Sequence, residues 1–477
     1  MNTDRTARSL QELLDSGTNI VEHLYASPPK NPLSIYIQMM PGDAVRPEFT
    51  TWRDEQRSWR TTVALHDQSY HMHSLNVRGK GALGLFERLG VNTFKNFEPG
   101  RAKQFLACSP EGHVIGDAIL YYLEPENFLL LGNPASTDWV QFHCERDSND
   151  VTAKLDPMWA LNREKRRQFY RYQVEGPEAY KLLEKVNGGT LPDIKFFRSD
   201  MLSIAGCQVR AMRHSMGGVP GLELSGPWND RKTVKSTLVA AGKEYGLRQI
   251  GSLAYFTTVI ESGWWAVPVS AVYTSPGLRE YREWLTTNNA AARMSLGGSF
   301  YSGNIEDYYA TPWDLGYGHL IKFDHDFIGR EALERMTEQS HRQKVTLVWN
   351  AEDVLSVFQS LLEEGTDALP INLPLAATAR LHYDKVLDKD GNTIGLSTYP
   401  GYTINERAML SLGSVDKQYA EPGTEVVLVW GEEGGGAKSA GWIEPHSQVR
   451  IRATVGPSPI SQAAQQYRSA ISAKRGA

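Results

Sequence analysis

His71-Met72-His73 sets two imidazoles two residues apart, so that in a strand both rings would leave the same face. Two such groups do not make a metal site, and no third ligand stands at a metal spacing beside them. Gly79-Lys80-Gly81-Ala82-Leu83-Gly84 matches the G-x-G-x-x-G pattern that brings backbone N–H groups against a pyrophosphate. A dinucleotide site also needs a full helix after the glycines and an acidic residue about twenty positions on. Here the helix ends at Gly90, so the glycines read as the start of a helix. Asp388-Lys389-Asp390-Gly391-Asn392 begins like a calcium loop, but its glycine falls too early and no glutamate closes it, which leaves a hairpin turn. G-x-S-x-G and H-E-x-x-H do not occur, and Gly434–Gly436 lacks the lysine and hydroxyl residue of a phosphate loop. Hydrolase, zinc-enzyme and nucleotidase chemistry are disfavoured. What remains is a supply of flat, polar-tipped rings: 12 Trp and 21 Tyr among 477 residues suit a pocket for a flat ligand.

The elements that would position such a pocket are legible in part. Ser9-Leu10-Gln11-Glu12 has capping-box spacing and predicts a short opening helix. Val77-Arg78-Gly79 leads into Ala82–Gly90, and nearly a hundred residues on Val174-Glu175-Gly176-Pro177 leads into Ala179–Val186, followed by Gly188-Gly189. Each reads as strand, glycine turn and short amphipathic helix, which predicts two related α+β subdomains. A further helix is expected over Leu278–Leu285, with Tyr281 on its apolar face. From about Gln343 the pattern shifts to short alternating runs: Lys344–Trp349, Ala379–Tyr383, Thr393–Thr398, Thr424–Trp430 and Val449–Val455. Asp390-Gly391, Pro422-Gly423 and Glu432–Gly436 punctuate them, as in antiparallel hairpins of a separate sandwich or barrel. The polar stretch Thr337–Arg342 is the expected boundary. The division is then 1–340 for two interleaved α+β subdomains, 341–460 for the β domain, and 461–477 for a polar, basic tail expected to be frayed or loosely docked.

The bulk composition narrows the partners. At 41% hydrophobic and 22% charged the chain is globular, with length for two or three domains. A formal charge of -5 offers no attraction to nucleic acid or an anionic membrane. No run of 18 apolar residues could span a bilayer, and the first residues lack the apolar core of a signal peptide. The three cysteines, Cys108, Cys144 and Cys207, are widely spaced and odd in number, which suits reduced thiols and a cytoplasmic location.

Specific motifs carry a resemblance. Thr311-Pro312-Trp313-Asp314-Leu315-Gly316-Tyr317-Gly318 and Asp326-Phe327-Ile328-Gly329-Arg330-Glu331-Ala332-Leu333 resemble the T-P-x-x-x-G and D-F-I-G-R-E-x-L runs of the aminomethyltransferase family, typified by the glycine-cleavage T-protein. Gly112-His113-Val114-Ile115-Gly116-Asp117 is similar to its G-G-x-x-D-D segment, with Gly116 in place of the first aspartate. Pro220-Gly221-Leu222-Glu223 and Ile260-Glu261-Ser262-Gly263 resemble its G-x-E and L-E-A-G segments, and the likeness runs from about residue 45 to 455. Within the family the longest shared stretches are with bacterial tetrahydrofolate-dependent vanillate and syringate O-demethylases, among them Gly251-Ser252-Leu253-Ala254-Tyr255 and Asn304-Ile305-Glu306-Asp307-Tyr308-Tyr309. The resemblance implies an α+β fold of three domains in a ring around a folate channel, ending in an antiparallel β barrel or sandwich. It also implies transfer of a methyl group from an aromatic methyl ether to N5 of tetrahydrofolate, with no obligatory protein partner and no metal.

That chemistry makes two demands. The phenoxide leaving group needs a proton or hydrogen bond as its C–O bond breaks, and a weakly basic amine must lie in line with that bond. The resemblance assigns the acid to Tyr255, whose phenol is matched to a phenoxide. It assigns Glu223 to the amino-pyrimidinone edge of the pterin, a fork that a carboxylate can grip, and Trp264 and Gln104 to packing and hydrogen bonding against the cofactor. Gln68 and His71 match positions lining the aromatic pocket. Asn133 stands where vanillate-type enzymes carry an arginine for the benzoate carboxylate; the shorter amide leaves room for a second ortho methoxy group and favours syringate. Asp117 is half of an acidic pair whose other half is lost. A T-protein would need a lipoyl carrier and favour the intact pair; other methyl donors, or a folate-binding regulator that makes no use of Tyr255, remain alternatives.

Overall fold

The opening helix Leu10–Asp15 forms through its capping box: Ser9 Oγ accepts the Glu12 N–H at 3.1 Å, and the Ser9 N–H is donated to the Glu12 carboxylate at 2.7 Å. The structure is a computed structural model describing residues 8–26, 40–42, 44–147, 150–365, 367–436 and 443–475. Both strand–glycine–helix units are present. His73–Arg78 leads through Gly79 into the helix Ala82–Leu89, and Phe169–Glu175 leads through Gly176 into the helix Ala179–Asn187. Gly79 and Gly176 adopt φ of +130° and +126°, and a Cβ on either would strike a carbonyl oxygen, that of Asp150 at 1.8 Å or Thr62 at 2.5 Å. Gly79 therefore answers a packing demand at the start of a helix rather than cradling a phosphate. The expected helix around Tyr281 spans Arg279–Trp284, with Tyr281 buried.

The two units belong to different sheets. An antiparallel five-stranded sheet runs in the spatial order Ala102–Cys108, Val114–Glu124, Asn127–Gly132, His73–Arg78, Thr152–Asp156. It is inserted in sequence between the first two strands of a six-stranded sheet, ordered Arg248–Ile250, Ala64–Asp67, Phe169–Glu175, Gly221–Pro227, Cys207–Met212, Ser199–Ile204. The pair Ala64–Asp67 and Arg248–Ile250 is parallel, and the remaining pairs of this sheet are antiparallel.

Alternation within the six-stranded sheet explains where the site must lie. Tyr170, Tyr172, Val174, Leu222 and Leu224 enter an apolar cluster with Leu182, Leu183, Val234 and Leu238 of the covering helices. The opposite face carries Arg171, Gln173, Glu175 and Glu223, all buried although polar. Buried polar groups need partners, so this face turns toward a polar interior rather than a second dry core.

The C-terminal region is a closed antiparallel barrel of six strands, in the order Gln343–Trp349, Ala408–Val415, Thr393–Thr403, Asp384–Leu387, Glu425–Trp430, Val449–Gly456. Ala379–Tyr383 is not one of them. Its central pair, Leu381–His382, instead lies parallel to Leu296–Gly297 outside the barrel. Ala408–Val415 escaped the sequence pattern because seven of its eight residues are buried, which erases the alternation of a half-exposed strand. The turn at Asp388 is the expected hairpin, since Asp388 Oδ1 accepts the N–H groups of Asp390 and Asn392 at 2.9 Å each.

The tail reading is corrected. Gln462–Arg475 is a 14-residue helix, and Ala464 is fully buried where it meets Gly218. Arg468 donates to the carbonyl of Ser262 at 2.7 Å, which ties the helix to the protein interior. The polar, basic composition reflects a helix with one face docked; Gly476 and Ala477 lie outside the described residues. Among the described residues no helix is long and apolar enough to cross a membrane.

Candidate active site

One cavity of about 430 Å³ is lined by Gln68, His71, Gln104, Asn133, Glu223, Tyr255 and Trp264, and by Asp117. Its walls come from both sheets, from Lys344 and Tyr399 of the barrel, and from Tyr467 and Arg468 of the C-terminal helix. The structure thus brings every sequence-derived candidate to a single place.

Tyr255 ends the short helix Ser252–Tyr255, and the preceding glycine explains its placement. The Gly251 N–H is held by Glu55 Oε2 at 2.8 Å, and a Cβ on Gly251 would meet the Pro47 carbonyl at 2.2 Å. Tyr255 Oη lies 3.0 Å from His71 Nε2, and the rings meet edge-on with centroids 5.0 Å apart. Burial pushes the phenol well above its ordinary pKa. Burial, then the charges of Arg171, Arg167 and Arg380, push His71 down to about 3, so the imidazole is neutral across the physiological range.

Arg171 fixes the orientation of Gln68. A guanidinium only donates, so the Gln68 atom 3.4 Å from Arg171 Nη2 is its carbonyl Oε1. Gln68 lines the same cavity as Tyr255. The direction of the Tyr255–His71 bond is set by the imidazole tautomer: protonated on Nδ1 the ring accepts from the phenol, and protonated on Nε2 it donates to it. Two bonded groups thus line one cavity: Glu223, Arg171 and Gln68, and the pair Tyr255 and His71.

Glu223 is held more tightly than its motif suggests. Arg171 Nε reaches Oε1 at 3.2 Å and Nη2 reaches Oε2 at 2.9 Å, a bidentate grip, and the Tyr121 hydroxyl donates to Oε1 at 2.5 Å. Register accounts for the pair: Glu223 is opposite Gln173 and Ser225 opposite Arg171, so the two charges are diagonal neighbours on one face. Burial raises the Glu223 pKa, but Arg171, then His214, outweigh it and hold the carboxyl below the ordinary range. The expected two-pronged grip on a pterin is therefore modified. A pterin edge would share these oxygens with Arg171 and Tyr121, using the lone pairs they leave.

Asp117 has more substance than its broken motif implied. Its Oδ2 accepts from Gln104 Nε2 at 2.6 Å, Tyr317 Oη at 3.0 Å and Trp264 Nε1 at 3.3 Å, while Oδ1 is buried with no partner among the described residues. Burial drives its pKa up to about 6 despite the bonds from Trp264 and Tyr317. Gly116 cannot be the missing aspartate, because a Cβ there would meet Ser136 Oγ at 2.6 Å. Helix Pro134–Asp147 packs onto that strand and excludes a side chain.

Asn133 takes on a structural duty. Its Oδ1 accepts the Ser136 N–H at 3.3 Å at the start of helix Pro134–Asp147, which leaves the amide nitrogen for the cavity. The paired-histidine expectation is corrected: His71 lies in the bend before strand His73–Arg78 and faces Tyr255, whereas His73 Nδ1 bonds Thr137 Oγ1 at 3.1 Å. Among the described residues no cluster of three or more His, Cys, Asp or Glu could hold a metal. Several familiar motifs are structural. Glu261 accepts from Trp59, Arg60 and Asn405 to tie the barrel to helix Trp52–Thr61, and a Cβ on Gly329 would meet the Ser109 carbonyl at 2.5 Å.

Sequence reasoning missed Arg171, Tyr121, Tyr317, Lys344 and Arg380, all bonded to or lining the site. Arg171 left a signal as an arginine on the polar side of the alternating strand Phe169–Glu175, and Tyr317 stood directly after the T-P-x-x-x-G run without being singled out. Lys344 is half-buried and donates to the Gly263 carbonyl at 2.7 Å, and desolvation of its ammonium lowers its pKa to about 7.

Known proteins resemble this chain along most of its length. A family profile described as the GCVT N-terminal domain matches residues 28–269. A syringate O-demethylase from Sphingobium sp. is 44% identical over 96% of this chain and 97% of its own. A sesamin methylene transferase from Sinomonas sp. is 29% identical over 80% of this chain and 82% of its own. The crystal structure of glycine cleavage system aminomethyltransferase T from Bartonella henselae superposes with a TM-score of 0.57 at 16% identity, covering 86% of this chain and 90% of that one, so the fold is shared. With a profile over half the chain and a relative 44% identical along nearly its whole length, this protein belongs to the GCVT family, the aminomethyltransferases of the glycine-cleavage T-protein type.

Proposed function

We propose that this protein is a tetrahydrofolate-dependent aryl O-demethylase that moves the methoxy methyl of syringate, or a closely related methoxybenzoate, to N5 of tetrahydrofolate. The observation that carries this reading is one cavity lined both by Glu223 with its partners Arg171 and Gln68 and by the bonded pair Tyr255 and His71. It sets an ionised carboxylate for a cationic or amide-like edge at one end and a protonated phenol for a leaving oxygen at the other. The relative that is a syringate O-demethylase supports the substrate class.

The residues present fit the cofactor. Asp117 offers a buried oxygen with no partner among the described residues, beside the Trp264 indole, and Gln104 and Glu223 line the same cavity. Tetrahydrofolate, when bound, supplies the secondary amine that accepts the methyl group. Everything else falls to the chain. Glu223 and Gln104 orient the pterin, and Trp264 gives it a flat surface. His71 and Gln68 hold the phenol of Tyr255, which gives its proton to the ether oxygen as the C–O bond breaks. The burial that raises the Tyr255 pKa keeps it protonated, and it raises a phenoxide in the same cavity by the same cause. Donor and leaving group stay matched, the condition under which a positioned acid is worth about 10²–10⁴-fold. A cytoplasmic location goes with this reading, supported by three unpaired cysteines.

The decisive experiment incubates the protein with tetrahydrofolate and syringate and follows both by mass spectrometry. The expected products are 5-methyltetrahydrofolate and the demethylated phenol in equal amounts, with turnover unaffected by EDTA. Demethylation without a folate, or loss on chelation and recovery with a metal, overturns the reading.

A further inference from the structure

A methoxybenzoate brings a carboxylate, and neither the Asn133 amide nor a neutral His71 brings positive charge to meet it. Three arginines stand close enough to His71 to depress its basicity: Arg171, Arg167 and Arg380. Arg167 directs its donors away, to Asp156 at 3.0 Å, the Ser69 carbonyl at 2.9 Å and Ser74 Oγ at 3.2 Å. Arg171 lines the cavity but aims its fork at Glu223. Arg380 occupies a different place. It lines the main cavity and also an adjoining cavity of about 350 Å³, and Asn133 and Val267 are the other residues common to both walls. Arg380 therefore stands at the neck between the two spaces, beside the amide that replaces the expected arginine.

The backbone at this point is well held. The Arg380 N–H donates to Ser295 Oγ at 2.9 Å, the Leu381 N–H donates to the Ser295 carbonyl at 2.9 Å, and Leu381–His382 pairs with Leu296–Gly297. Ala379 and Leu381 on either side are buried. A guanidinium launched from a fixed backbone is the kind of group that gives a bidentate grip its specificity. The adjoining cavity adds Met158, Tyr273 and Tyr281 to its walls and reaches the surface at Leu161, which is 51% exposed. A flat acid that fills the main cavity can thus turn its carboxylate toward the neck while a methoxy group faces Tyr255.

We propose that Arg380 is the carboxylate anchor of the aromatic substrate, doing from the neck of the cavity what an arginine at position 133 would do from the strand end. The proposal rests on the demethylase reading above for its substrate, but its test separates the two. Steady-state kinetics on the full-length protein with tetrahydrofolate compare syringate with 2,6-dimethoxyphenol, the same ring without the carboxylate. Arg380→Met should raise KM for syringate by about 10²-fold, the scale of losing a charge-assisted pair, with kcat within threefold of wild type. The same variant should leave kcat/KM for 2,6-dimethoxyphenol within threefold, and Arg380→Lys should recover most of the syringate affinity. An unchanged KM for syringate, or a parallel loss on both substrates, overturns the anchor. Calorimetric titration with syringate gives an independent reading: wild type binds and Arg380→Met does not. If wild type demethylates neither compound the demethylase reading fails, and the titration still decides the anchor, since equal binding by both proteins or by neither defeats it.

Discussion

Tyr255 Oη and His71 Nε2 lie 3.0 Å apart, and both side chains are buried. Because burial and the neighbouring arginines push the His71 pKa down to about 3, its imidazole is neutral and cannot serve as the acid. In the proposed mechanism His71 holds the Tyr255 hydroxyl, and the phenol gives its proton to the ether oxygen.

Removing the hydroxyl tests this directly. Tyr255→Phe should lower kcat by about 10²-fold or more, the range of a lost general acid, while tetrahydrofolate affinity stays within twofold. Steady-state rates and calorimetry on one preparation check both. A variant within threefold of wild type removes Tyr255 from the mechanism.

Glu223 calls for two substitutions, because its carboxylate neutralises a buried guanidinium as well as facing the cavity. Glu223→Ala should cost about 3–5 kcal/mol of stability, since Arg171 is left buried without its counter-ion. Glu223→Gln keeps an acceptor and the volume, so it should fold more nearly as wild type does yet weaken tetrahydrofolate binding by about 2–4 kcal/mol. Denaturant melts and calorimetry separate the effects; unchanged folate affinity in the Gln variant would show that the pterin is read elsewhere.

Asn133 tests the preference among ring substitution patterns. Asn133→Arg removes the cap on Ser136, at about 1 kcal/mol, and crowds the neck beside Arg380. It should shift the ratio of kcat/KM from syringate toward the less substituted vanillate by about tenfold, roughly 1.4 kcal/mol. The check is the same pair of substrates on wild type and variant. A wild type that already prefers vanillate by tenfold would contradict the argument from Asn133.

Asp117 supplies a pH signature. Its folded pKa of about 6 lies above that of an unfolded aspartate, so folding favours the protonated form. The stability it contributes is complete below about pH 4 and is lost as pH rises through about 6. Asp117→Asn does not titrate and keeps an acceptor for Gln104. The stability of the variant relative to wild type should therefore rise between about pH 4 and pH 7. Thermal melts across that range measure the difference, and a flat difference would mean that Asp117 titrates as an ordinary surface acid.

Much of this protein was legible without coordinates, for reasons of local chemistry. Short-range rules act within a few residues, so the capping box at Ser9, the paired glycines Gly79 and Gly176, and the hairpin at Asp388 could all be read from spacing. Linear motifs carried further: Gly251 through Tyr255 and Gly221 through Glu223 named two walls of the cavity, because each motif sits where a backbone must pass close to a neighbour. The amphipathic tail was misjudged, since polar composition does not say which face of a helix will find a groove beside Gly218.

By itself the sequence determined the residue types, the turns that only glycine allows, and a family pattern that pointed to a phenol acid and a pterin-facing carboxylate. Tertiary structure alone decided what those groups meet. Arg171 reaches Glu223 only through strand register across 52 positions of sequence, and Tyr255 meets His71 across 184. Tyr121 joins Glu223 from the other sheet, and Arg380 comes to the cavity from outside the barrel strands. Charge, burial and proton direction depend on neighbours within a few ångströms in space, and chain order does not encode which neighbours those are. That is why Asp117 looked like the remnant of a broken motif in the sequence, and is a buried, three-bonded carboxylate in the fold.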